Sequence, residues 1–140
     1  MNGTSSAQHA HGPFDVKLTP QKPDNKEAET ANLGRIALAK QFHGQLEGTS
    51  AGEMLYAGSA TTSGGYVALE RVTGTLAGRT GSFVLQHSGT MNHGQGHLSI
   101  TVVPDSGTGQ LQGISGQMSI TETDGKHFYD FDYTLPEAAK

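Results

Sequence analysis

Seven side chains in this sequence are of types that do chemistry when set among apolar neighbours: Glu53, Tyr56, Tyr66, Glu70, Gln86, His87 and Tyr129. Glu70 lies in the run Tyr66-Val67-Ala68-Leu69-Glu70-Arg71-Val72, where Tyr66, Ala68, Glu70 and Val72 share one face of a strand and Val67, Leu69 and Arg71 the other. If the even face looks inward, Glu70 is a carboxylate in a low-dielectric cavity, with a raised pKa and the capacity to move a proton. If the odd face looks inward, Arg71 is buried and Glu70 is solvated. A structural ion pair is the plain alternative. Gln86 and His87 end the run Ser82-Phe83-Val84-Leu85-Gln86-His87. Adjacent strand residues point to opposite faces, so one of the two lines a given cavity. With Phe83 and Leu85 inward it is His87, a general base titrating near neutrality; with Val84 inward it is Gln86. Glu70 and His87 are therefore the two catalytic candidates. Glu53, opening a strand, and the tyrosines Tyr56, Tyr66 and Tyr129 complete a candidate ligand-binding set, an apolar ring with a polar tip being suited to a pocket wall.

Other chemistries find less support. His93 and His97 are four apart in His-Gly-Gln-Gly-His, but the glycines oppose the helix that would align them, and a zinc site would need a third ligand such as His87 or Glu53. No metal is expected there or at His9 and His11. A serine triad is not expected, and there is no cysteine, so thiol catalysis is excluded. No cofactor motif occurs. A net charge of −4 with no basic run removes the electrostatic footprint of a nucleic-acid binder.

The elements that must position these groups are strands. Tyr66 to about Leu76 and about Gly81 to His87 read as a hairpin around Ala77-Gly78-Arg79-Thr80. Further strand patterns are Phe14–Thr19, Leu33–Gln45, Gly52–Tyr56, His97–Val103, parts of Gln110–Thr121, and His127–Leu135, the last entered through an Asp124-Gly125 turn of the primed type. Pro20 to Glu27 and Ser88 to Gly96 read as loops, and Glu27–Asn32 allows one helical turn. The chain has 140 residues, 34% of them apolar, and 20 glycines, which fits one all-β domain over residues 14–136 behind a flexible tail, residues 1–13. Successive hairpins of about eight strands predict an antiparallel barrel, the size at which the interior is filled or holds one small ligand. No apolar run approaches the roughly 20 residues that span a bilayer, and the N-terminus has no signal-peptide pattern, so a cytoplasmic protein is expected.

A Gly-x-Leu-x-Gly pattern recurs three times, each followed by a further Gly and then Met or Phe: Gly44-Leu46-Gly48-Gly52-Met54, Gly74-Leu76-Gly78-Gly81-Phe83 and Gly109-Leu111-Gly113-Gly116-Met118. No helix pattern and no Lys-Ser/Thr follows any copy, so a phosphate loop is not indicated. The pattern predicts an inward Leu beside a glycine corner, with the large apolar residue re-entering the core.

The third copy, Gly107 to Met118, resembles the Gly-rich segment of plant allene oxide cyclases and dirigent proteins. A wider resemblance, spanning Phe14 to Leu135, is to a bacterial family known as domain of unknown function 3224. It is carried by Lys40-Gln41-Phe42-His43-Gly44-Gln45-Leu46-Glu47-Gly48, Gly52-Glu53-Met54-Leu55, Tyr66 to Val72, Gly81 to His87, Val102-Val103-Pro104 and Asp130-Phe131-Asp132-Tyr133. The resemblance implies an allene-oxide-cyclase-like barrel and no particular activity. Three functions are compatible with it: a binder of a small apolar or amphipathic molecule; an isomerase or cyclase using Glu70 or His87; and a filled, structural barrel. Trimers among the related plant barrels make a homo-oligomer an expectation of resemblance only.

Overall fold

Alternating apolar and polar residues build nine strands and one short helix over residues 6–136, the part of the chain that the computed structural model describes. In order they are β1 (Ser6–Gln21), α1 (Lys26–Ala31), β2 (Gly34–Phe42), β3 (Leu46–Gly58), β4 (Gly64–Leu76), β5 (Arg79–Asn92), β6 (Gln95–Val102), β7 (Thr108–Gly109), β8 (Ser115–Thr123) and β9 (Lys126–Leu135). Every pairing is antiparallel. β1 to β6 form a continuous meander, β6 passes to β8 and β8 to β9, and β9 returns to β1, so eight strands close the predicted barrel. β7 is a two-residue ledge on β5. The helical turn is capped by Asn25, whose side chain accepts from the Ala28 amide, and buries nothing. Among the described residues no helix is long and apolar enough to cross a membrane.

The hairpin turns follow the chain's small and polar residues. Ala77-Gly78, His93-Gly94 and Asp124-Gly125 all have positive φ at both positions, the primed geometry whose twist matches the flanking strands. The Asp-Gly turn and the central hairpin were expected. The expected loop over Ser88–Gly96 is instead strand almost throughout, with β5 running to Asn92 and β6 starting at Gln95. Its polar composition hid the alternation, because only one face of each strand meets the interior.

The tail expected over residues 1–13 is also corrected. Residues 6–13 form the first half of β1 and pair with β9 from Ser6↔Leu135 onward, while residues 1–5 lie outside the described residues. Small residues concealed this strand. Ala10 and Gly12 point inward where no larger group fits, and a Cβ on Gly12 would lie 2.1 Å from the His43 carbonyl oxygen. The glycine repeat needs a similar correction. Leu46, Leu76 and Leu111 are fully buried as expected. Gly48 and Gly74, however, are not at corners: they face each other inside the β3–β4 ladder, so close that a Cβ on either would strike the opposite backbone.

One end of the barrel is solid. Phe14, Phe42, Leu46, Leu76, Phe83, Tyr129 and Phe131 are buried there in one cluster with Leu111 and Ile114. The wall is least continuous between β6 and β8, which pair only at Ile100↔Met118 and Thr101↔Gln117.

Candidate functional site

The even face of β4 looks inward, and this brings four polar side chains together inside the barrel. Lys40 and Ser50 are register partners on β2 and β3, Gly52 lies opposite Glu70 with the backbones so close that a Cβ on it would strike the Leu69 carbonyl, and His87 on β5 lies opposite Ala68 of β4. Glu70 Oε1 accepts from Lys40 Nζ at 2.9 Å and from His87 Nε2 at 2.6 Å, while Oε2 accepts from Ser50 Oγ at 2.5 Å. All four residues are buried, and the Glu70 side chain is inaccessible to solvent. The Lys40 ammonium also sits 5.1 Å from the centre of the Phe14 ring and 5.8 Å from that of Phe42, a cation–π environment.

Burial pushes the Glu70 carboxyl upward, but the His87 hydrogen bond, the Lys40 charge and hydrogen bond, and the Ser50 hydroxyl outweigh it and hold the pKa down to about 2. The raised pKa expected for an inward Glu70 is thus reversed. An isolated buried carboxylate would neutralise; this one has a buried cation and two further donors. Such a group is ionised at neutral pH and its oxygens are already engaged, so it is a poor acid and a weak base.

Above this cluster, toward the other end of the barrel, lies a chamber of about 600 Å³ with walls of Leu18, Ile36, Met54, Tyr56, Tyr66 and Leu98. Leu18, Tyr56 and Leu98 occupy inward register positions yet are 50%, 41% and 43% exposed, because the chamber and not packed side chains lies before them. Ala57 and Gly58, which end β3, and Ser59 and Ala60, which start the β3–β4 loop, also border the chamber. That loop is tied across to the β5–β6 turn: Gly94 N donates to the Thr62 carbonyl at 2.9 Å, and His93 N donates to Ser63 Oγ at 3.0 Å. The Tyr66 ring, centred 6.4 Å from that of His87, stands between the chamber and the polar cluster.

The structure divides the candidate residues into three groups. Tyr56 and Tyr66 line the chamber, and Glu70 and His87 lie beneath it. Tyr129 is inward but at the solid end, where its hydroxyl donates to the His43 carbonyl and accepts from the Leu46 amide, so it is a core tyrosine. Glu53 and Gln86 are on the outer face: Glu53 is ion-paired with Arg35, Gln86 is exposed, and neither borders the chamber. Their odd–even position relative to Met54 and Leu85 requires it. His93 sits in a turn and His97 on the outer face, and among the described residues no three His, Cys, Asp or Glu side chains are arranged to hold a metal ion.

Lys40 and Ser50 were not among the candidates. Lys40 carried a usable signal, since a lysine between Leu38 and Phe42 on an apolar face must find an anion. Ser50 carried none.

Comparison with known proteins gives a consistent picture. The profile of the family described as "Protein of unknown function (DUF3224)" matches residues 10–133. A solved structure, a protein with unknown function from the same family of Shewanella oneidensis MR-1, is 49% identical over 95% of this chain and 100% of that chain, with a TM-score of 0.84. No curated protein matches.

Proposed function

Since the chain belongs to the DUF3224 family, whose description assigns no activity, we propose from its own geometry that it binds a small apolar or amphipathic molecule in the open half of its barrel. The observation that carries this reading is the set of large apolar side chains, Leu18, Tyr56 and Leu98, that sit on the inward face and remain about half exposed around a chamber of about 600 Å³. Leaving such groups unburied costs about 25 cal/mol for each Å² of apolar surface, which an apolar occupant recovers. The volume lies within the range of sites for small molecules. Tyr56 and Tyr66 supply hydroxyls that orient a guest at two points of an otherwise apolar wall.

The isomerase or cyclase reading loses its main residue here. Glu70 is ionised, triply hydrogen-bonded and sealed from the chamber, so its role is to brace the interior below the guest.

Titration with the neutral apolar fluorophore N-phenyl-1-naphthylamine tests the proposal. One saturable site per chain is expected. Ile36→Trp, which places an indole in the chamber, is expected to weaken binding about ten-fold or more while the protein stays folded by circular dichroism. Saturable binding that is untouched by Ile36→Trp would place the fluorophore elsewhere and sink the reading.

A further inference from the structure

Three features of the wall beside the chamber act together. First, β6 and β8 separate like a fork. Beyond Ile100↔Met118, residues Gln95–Ser99 of β6 pair only with β5, and Ser119–Thr123 of β8 pair only with β9. Second, a groove of about 350 Å³ lies over this fork, bordered by His97, Ser99, Gln117, Ser119, Asp130 and Asp132, with Leu98, Ile100 and Met118 also contributing. His97 and Leu98 border the chamber as well, so groove and chamber adjoin across the half-paired strand. Third, the loop beside the barrel end is tied to the opposite turn by the two hydrogen bonds from His93 and Gly94, whereas among the described residues no hydrogen bond joins Gln95–Ser99 to Ser119–Thr123.

The groove differs in character from the chamber. His9 Nδ1 lies 2.7 Å from Asp132 Oδ1, and His9 Nε2 and His11 Nδ1 lie 3.1 Å and 2.9 Å from Asp130 Oδ1. Each carboxylate therefore has one oxygen held by imidazole, and its Oδ2 makes no hydrogen bond among the described residues. The Gln117 amide oxygen and the Ser119 hydroxyl add further acceptors.

We infer that the chamber's occupant is an amphipathic molecule lying across the β6–β8 seam, its apolar body inside the barrel and a hydrogen-bond-donating head, a hydroxyl or an ammonium, in the outer groove against Asp130 and Asp132. The inference rests on the reading of the chamber as a binding site. His9, donating from both ring nitrogens, offsets part of the charge of Asp130 and Asp132 from the β1 side, but their free Oδ2 atoms still accept from a donor head and offer a carboxylate head no donor.

Displacement of N-phenyl-1-naphthylamine from the full chain at pH 7.5 tests it. The competitors are dodecylamine, dodecan-1-ol and dodecanoate, which share one apolar body, the two ionic ones used below their micelle concentrations and the alcohol below its solubility limit. The amine and the alcohol are expected to displace the fluorophore at concentrations about ten-fold lower than dodecanoate. Asp132→Asn is expected to reduce the advantage of the amine by about five-fold and leave the fluorophore's own affinity unchanged. A bulky maleimide on Ser119→Cys, which blocks the groove without touching the chamber wall, is expected to weaken the amine selectively. Dodecanoate equal to the amine, or an amine indifferent to both variants, overturns this inference while leaving the chamber reading intact. Failure of the fluorophore itself to bind overturns both.

Discussion

At the scale of residues, the governing fact is that Glu70 and Lys40 are buried charges that depend on each other. Removing one partner of such a pair strands the other in low dielectric, at a cost of about 3–5 kcal/mol. Glu70→Gln is therefore expected to lower unfolding free energy by that amount, measured by urea denaturation. The joint variant Lys40→Met with Glu70→Met is expected to recover most of it. A single variant as stable as the wild type would show that the pair is not buried as described. The same carboxylate predicts a pH dependence. Its folded pKa of about 2 lies below its ordinary value of 4.5, so between these values the unfolded chain binds the proton more tightly. The stabilisation is complete above about pH 4.5 and is lost as pH falls toward 2, on the order of 3 kcal/mol. A urea midpoint that falls across this window in the wild type, and much less in the Lys40→Met/Glu70→Met variant, is the expected result.

At the scale of elements, the hairpins were legible where the turn chemistry was explicit and obscure where it was not. Asp124-Gly125 is the preferred primed pair and was readable directly. His93-Gly94 adopts the same geometry from a poorer sequence, one whose composition reads as loop. Ala77 holds φ 48 at the first turn position of the central hairpin, where a Cβ without a local hydrogen bond is unfavourable. Ala77→Asn is therefore expected to stabilise the protein by about 0.5–1 kcal/mol, seen as a rise in Tm. An unchanged or lowered Tm would mean that the turn is not set by this residue's backbone preference. The two halves of the candidate site divided along the same line. Strand parity placed Tyr66 with Glu70 and His87 with Phe83, and those groupings hold. Which parity faced inward depended on closure by strands far away in the chain.

At the scale of the whole molecule, closure depends on the first strand. Residues 6–13, whose composition suggested a tail, bring β1 against β9 and so complete the barrel. Deleting residues 1–13 is expected to open the sheet between β1 and β9, expose Phe131 and Tyr133, and abolish cooperative unfolding or cause aggregation. A truncated chain with wild-type stability by calorimetry would restore the reading of these residues as a tail. Closure also separates the solid half from the open half. The solid half collects Phe14, Phe42, Phe83, Tyr129 and Phe131, and the open half is left with Leu18, Ile36, Met54 and Leu98 around unfilled volume.

The sequence by itself determined the all-β class, the central hairpin, the inward leucines of the glycine repeat and the face shared by Tyr66 and Glu70. These follow from the two-residue period of a strand and from local turn preferences, which neighbouring residues fully express. Only the tertiary structure decided that the even face of β4 looks inward, that Lys40 on β2 neutralises Glu70 on β4, that Tyr129 braces the core, and that Glu53 and Gln86 face solvent. Those outcomes depend on which strands become neighbours when the barrel closes. A strand's own residues specify which side chains share a face, but the partner strands specify what that face meets.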